Sequence, residues 1–149
     1  MKSRRIKIGL TLLAIVLGTV GYFAYSILNA LNHLPEAYAA WDTGGLLVEY
    51  MNRHDDHWPH SWEDLAQMVK NSDVRVMLRG LNRDDAAQYV RSLDQTIWVD
   101  WNFDPQNTNA AVIVSPKSGG KFVLLWEDPN EMVREHLKCR ASTRPISKP

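Results

Sequence analysis

The hydrophobic pattern changes character along this chain. From Ile8 to Leu28 it reads IGLTLLAIVLGTVGYFAYSIL, with no charged residue. At about 1.5 Å rise per residue a helix of this run spans roughly 30 Å, the hydrocarbon thickness of a bilayer. A small domain rarely supplies a core that swallows such a run, so the pattern predicts a transmembrane anchor over 8–28 rather than a buried core helix. A cleaved signal peptide shares the basic start and the apolar stretch, and Ala37-Tyr38-Ala39 has the form of a cleavage site. Secretory apolar regions are shorter and lie closer to their cleavage sites, so a retained anchor is expected.

Beyond the anchor the period becomes that of amphipathic helices. Pro35 is expected to interrupt the first helical register. Ala37, Ala40, Trp41, Gly44, Leu47, Val48 and Met51 then recur at spacings of three and four, one apolar helix face. Gly44 and Gly45 weaken that helix. Either a neighbouring backbone approaches closely there or the helix is broken. Ser61 stands three residues before Asp64 in a capping pattern and predicts a short helix from Trp62 to about Lys70. Asn82 and Asp85 form a second such pattern ahead of Ala86, Tyr89, Val90 and Leu93, while Val74–Leu81 reads equally as strand or helix.

Period two takes over at Ile97, Val99, Trp101 and Phe103, with Trp98, Asp100 and Asn102 on the opposite face, which predicts a strand ending at Asp104-Pro105. Ala111–Val114 and Lys121–Trp126 read as a hairpin closed by the turn sequence SPKSGG. Asp128 and Pro129 open a last helix to about Lys138. The fold class expected is therefore α+β: an N-terminal transmembrane helix, then a small domain of short helices and an antiparallel sheet. Its divisions are a basic leader over 1–7, the anchor over 8–28, the domain over 29–138 and a flexible basic tail over 139–149.

Charge placement orients this arrangement. Lys2, Arg4, Arg5 and Lys7 precede the apolar run, so the positive-inside rule keeps the N-terminus cytoplasmic and the domain extracytoplasmic. From Glu36 to Leu137 there are 9 basic against 17 acidic residues. An acidic domain is a poor surface for nucleic acid, which needs clustered Lys and Arg. The partners expected are the lipid bilayer, through 8–28, and other membrane or envelope proteins. With Cys139 as the single cysteine, there is no internal disulfide framework.

Candidate chemistry is sparse. His54, Asp55, Asp56, His57 and His60 crowd the segment HDDHWPH, and His54, His57 and His60 form an imidazole set able to hold zinc. A solvated helix end with His54 near the negative end of the helix dipole accounts for the same residues, so no metal and no cofactor is expected. Of the 6 tryptophans, Trp41, Trp62 and Trp101 fall on apolar faces. Of the other three, Trp58 and Trp98 are the better candidates for a ligand surface. Nothing in the sequence pairs Asp100, Asp104, Glu127 and Asp128 as an acid and base: Asp128 is explained as a cap and Asp104 as the turn residue before Pro105, and no nucleophile or phosphate-loop motif is present. Catalysis is not expected.

The N-terminus resembles type IV pilins and type II secretion pseudopilins, in which a basic leader ends in a glycine before a long apolar helix. Gly9, after Lys7 and Ile8, matches the processing glycine, Leu10 would be the first mature residue, and Thr11-Leu12 match the pattern that follows. Ala14 stands where the family carries a glutamate. Tyr50, His54, Asp55, Trp58, Pro59, Ser61 and Leu65 follow the loose order of tyrosine, histidine turn, proline, serine and short helix seen in pseudopilins. The resemblance covers roughly the first 65 residues. It implies an anchored component of a secretion or filament assembly, acting by protein–protein contact. Ala14 implies a capping or priming subunit rather than a repeating one. The alternative is a membrane-tethered binding module for a metal, glycan or envelope ligand.

Overall fold

The computed structural model describes residues 2–72, 81–106, 112–122 and 127–143. The element order is α1 (Lys2–Arg53), α2 (Trp62–Asn71), α3 (Arg83–Ser92), a 3₁₀ turn (Leu93–Gln95), β1 (Ile97–Val99), β2 (Val114–Pro116) and α4 (Pro129–Thr143). The fold is α+β, mostly helical, with a two-stranded antiparallel sheet. The chain divides into two compact units, Met1–Leu34 and Pro35–Pro149.

The described residues of the first unit form the opening part of α1, a helix long and apolar enough to cross a membrane. The expected interruption at Pro35 does not end the helix, which is continuous to Arg53. Proline forgoes its own N–H bond, here the one to the Leu31 carbonyl, and crowds that carbonyl. Helical backbone continues on both sides of Pro35, so the proline costs the helix stability without ending it.

The second unit is organised around the later part of α1. Ala37, Ala40, Leu47 and Met51 are buried as the periodicity predicts, and so are Ala39, Leu46, Asp42 and Thr43. The buried face is thus wider than a single stripe. The two alternatives at the glycine pair resolve in favour of close approach. A Cβ at Gly44 would stand 2.9 Å from Pro129 Cα and 2.8 Å from Met132 Sδ, whereas one at Gly45 would meet nothing.

Local chemistry starts the short helices where expected. Asp64 N donates to Ser61 Oγ at 3.3 Å and opens α2, and Asp85 N donates to Asn82 Oδ1 at 2.9 Å and opens α3. Leu65, Ala66 and Val69 of α2 and Ala86, Ala87 and Val90 of α3 enter one core with Leu47, Met51, Ile97 and Val114. The segment Val74–Leu81 lies outside the described residues except for Leu81.

The β region departs from expectation in two places. The predicted strand to Phe103 stops at Val99, because Asp100 folds the chain into a turn: its Oδ1 accepts Asn102 N at 3.0 Å and its carbonyl accepts Phe103 N at 3.2 Å. Burial still alternates past the strand end, with Phe103 buried and Trp101 half-buried. Ser115 and Pro116, read as turn residues, belong instead to β2, whose Val114, Ser115 and Pro116 pair with Val99, Trp98 and Ile97. Pro116 is tolerated because Lys117 N bonds Thr96 O, which leaves position 116 in a non-hydrogen-bonded pair where no ladder donor is needed. The turn proper lies at Lys117–Gly120, with Gly119 and Gly120 at φ 83° and 89°, values that suit residues without a Cβ. The other predicted hairpin arm, Lys121–Trp126, lies mostly outside the described residues.

Helix α4 runs to Thr143 rather than stopping near Lys138, so the start of the predicted flexible tail is helical. Arg140 supplies a reason, with Nε 3.3 Å from Asp56 Oδ1 and Nη2 donating to Asn52 Oδ1 at 3.3 Å.

Candidate functional site

The HDDHWPH segment is the C-terminal closure of α1. Asp55 and Asp56 take left-handed φ values of 52° and 65°, a conformation that Asp tolerates better than most residues with a side chain. This lets Asp56 N reach back to Met51 O at 2.9 Å, which satisfies a carbonyl that the helix end leaves open. The His54 ring stacks on Tyr50 with centroids 3.9 Å apart, and its Nδ1 lies 2.9 Å from Tyr50 O. His57 Nδ1 lies 2.6 Å from His54 O. His60 is exposed, and its backbone N donates to Asp64 Oδ2 at 2.8 Å, reinforcing the cap of α2. The His54 and His57 imidazoles therefore have separate local contacts, while His60 acts through its backbone. Among the described residues no group of three or more His, Cys, Asp or Glu converges as a metal site.

Asp56 leaves that turn and faces α4, its Oδ1 3.6 Å from His136 Nε2 as well as 3.3 Å from Arg140 Nε. Beside this contact is an open groove of about 670 Å³ lined by Asp55, Asp56, His57, Trp58, Asp104 and Arg140, among others. A second groove of about 550 Å³ lies between the end of α1 and α2, lined by Tyr50, Arg53, His54, Asp64, Gln67 and Ser72, among others. Two of its polar side chains are engaged locally. Arg53 Nε donates to Glu49 Oε1 at 2.6 Å, and Ser72 Oγ donates to the Met68 carbonyl at 2.6 Å.

The two tryptophans proposed as a ligand surface have different environments. Trp58 is only 6% exposed, a correction to its reading as a surface residue. Its indole N–H donates to Asp100 O at 2.9 Å and its ring meets Phe103 edge to face at 4.8 Å. The turn at Asp100 that ends β1 supplies both partners. Trp98 is 44% exposed, on the outer face of β1. Gly9 and Leu10 both lie within α1.

The roles of two buried polar residues, Asn130 and Asp42, were not read from the sequence. Asn130 bridges α4 to β2: its Oδ1 accepts Ile113 N and Val114 N, both at 2.8 Å, and its Nδ2 donates to Val114 O at 3.0 Å. Its side-chain amide thus occupies the place of a further strand. Asp42, 4% exposed, accepts the Tyr89 hydroxyl at Oδ2, 2.6 Å away, while its Oδ1 has no hydrogen-bond partner among the described residues. Burial pushes the Asp42 carboxyl above its ordinary range, partly offset by the tyrosine bond, and burial with the facing carboxylate raises the Tyr89 phenol. The available signal was an acid set among the apolar residues of the α1 face.

On the surface, Arg91 Nε and Nη2 grip Glu63 at 2.7 and 2.9 Å and tie α3 to α2. Hydrogen bonds from Arg91 and then Gln67 hold the Glu63 carboxyl down to about 2. No family model matches the chain, and neither a curated protein nor a solved structure is similar to it.

Proposed function

We propose that this chain is a single-pass membrane protein, N-terminus cytoplasmic and domain extracytoplasmic, that works by contact with other proteins as a pilin-like component of a secretion or filament assembly. One observation carries the membrane part. Ile15, Leu17, Val20, Phe23, Ile27 and Leu28 are each more than half exposed along α1. Apolar surface left in water costs roughly 25 cal/mol per Å², and a bilayer removes that cost for a helix of this length. Lys2, Arg4, Arg5 and Lys7 support the orientation.

The assembly part rests on layout. A helix that is apolar at its start and enters the folded domain at its end, with a small antiparallel sheet farther along the chain, is the arrangement the N-terminal resemblance implies. Two open grooves, one with Arg53 and Ser72 engaged by their own helices, favour contact over chemistry.

Alkaline carbonate extraction of membranes tests the anchor: retention in the pellet is expected, and release would overturn it. N-terminal sequencing of the extracted chain tests the family reading. A start at Leu10 supports processing after Gly9. An intact leader would leave an ordinary signal anchor, and a start at Ala40 would remove the anchor altogether. Mild crosslinking of the full-length chain should capture other membrane or envelope proteins.

A further inference from the structure

We propose that Asp42 is an acid-responsive latch that takes up a proton while buried and fastens α1 to α3 more firmly in acidic than in neutral surroundings. The geometry is specific. Asp42 lies on the part of α1 inside the domain, 4% exposed, with Oδ2 held by the Tyr89 hydroxyl at 2.6 Å and Oδ1 buried without a hydrogen-bond partner among the described residues. A buried carboxylate with one orphaned oxygen is costly, whereas the neutral carboxyl is far cheaper to desolvate.

Among the described residues no compensating charge acts on Asp42. From α3 the titratable group facing Asp42 is Tyr89, which its own burial keeps neutral. From α4 the atoms nearest Gly44, two positions along α1 from Asp42, belong to Pro129 and Met132, and neither residue carries charge. On α1 itself the next acid, Glu49, is paired with Arg53 at 2.6 Å. Burial is the dominant influence on the carboxyl, and the Tyr89 hydrogen bond opposes it.

The sign follows from linkage. A carboxyl raised on folding contributes stability that is fully present below its unfolded value of about 3.9 and is lost as pH rises through the folded value. For a single proton the unfolding constant rises by at most about tenfold per pH unit in that window. The latch is independent of where the domain resides.

The test uses the full-length chain in detergent micelles, unfolded by denaturant at a series of pH values from about 4 to about 8. Asp42→Asn keeps an acceptor for Tyr89 but cannot titrate. The ratio of wild-type to variant unfolding constants should climb with pH by up to about tenfold per unit, then level off. Parallel profiles would overturn the proposal. A second measurement does not need that variant to fold: carboxyl-carbon NMR of the wild type labelled at aspartate should reveal one aspartate titrating above the ordinary range. Tyr89→Phe removes the bond that lowers the Asp42 value, so the same resonance should move to still higher pH. A spectrum with every aspartate in the ordinary range, or a midpoint unmoved by Tyr89→Phe, would refute the latch.

Discussion

Gly44 lies directly against Pro129, at a distance that leaves no room for a Cβ. The added atom would come within 2.9 Å of Pro129 Cα and 2.8 Å of Met132 Sδ. The first neighbour is backbone at the start of α4 and cannot swing aside as the methionine sulfur can. Position 44 thus sets how closely α4 can approach α1, and position 45 is uninvolved.

The adjacent glycines therefore predict opposite outcomes for one substitution. Gly44→Ala should destabilise the domain by about 1–3 kcal/mol through overpacking, despite better helix propensity. Gly45→Ala meets open space and should stabilise it by up to about 1 kcal/mol. Thermal or urea unfolding of both variants checks the pair, and equal shifts would show that the α1–α4 contact is looser than described.

Asn130 predicts a larger loss. Replacement by alanine strips partners from the backbone N–H groups of Ile113 and Val114 and from the Val114 carbonyl, all served by one side chain. Buried groups left unsatisfied cost about 1–3 kcal/mol each and do not add fully. A total of about 2–4 kcal/mol is expected for Asn130→Ala, with hydrogen exchange at Ile113 and Val114 accelerated well before global unfolding. A loss below about 0.5 kcal/mol, the size of an ordinary surface change, would contradict this role.

The Glu63–Arg91 pair sets an acid limb of the stability profile. Because the Glu63 carboxyl is held down to about 2, its contribution is present above the unfolded value of about 4.3 and is lost as pH falls through about 2. Glu63→Gln should flatten that limb and leave the slope above pH 5 unchanged. The pair is exposed, so the effect should be modest and shrink in high salt. Acid titrations of both proteins at two ionic strengths test this. A flattening that grows with salt would rule out the ion pair as its source.

How much of this was legible follows the sequence distance over which each feature is decided. Ser61 with Asp64 and Asn82 with Asp85 act across three residues, so a local pattern was enough to start α2 and α3. Trp58 sits among polar neighbours and reads as exposed, yet its burial depends on Phe103 and on the Asp100 carbonyl, 42 positions away. Asp42 meets Tyr89 across 47 positions, and nothing in either local pattern announces the other. Asn130 looks like a first-turn helix residue. Its role appears only once Ile113 and Val114 are brought beneath it. Gly44 was legible as a choice between two causes, and only the position of α4 decides between them.

The orientation of the domain can be read through Cys139, the single cysteine of the chain, which is exposed on α4. Helix α4 belongs to the second compact unit, on the far side of the apolar helix from Lys2, Arg4, Arg5 and Lys7 in sequence. If those cations hold the N-terminus in the cytoplasm, a membrane-impermeant maleimide applied to intact cells should modify Cys139. In a two-membrane bacterium the reagent must also pass the outer membrane. Because a thiol reacts as its thiolate, labelling of the denatured chain provides the reference for full modification. Labelling of intact cells near that reference is expected, and Cys139→Ser should abolish it. Modification only after permeabilisation would place the domain in the cytoplasm and overturn the proposed topology, while leaving the membrane anchor itself intact.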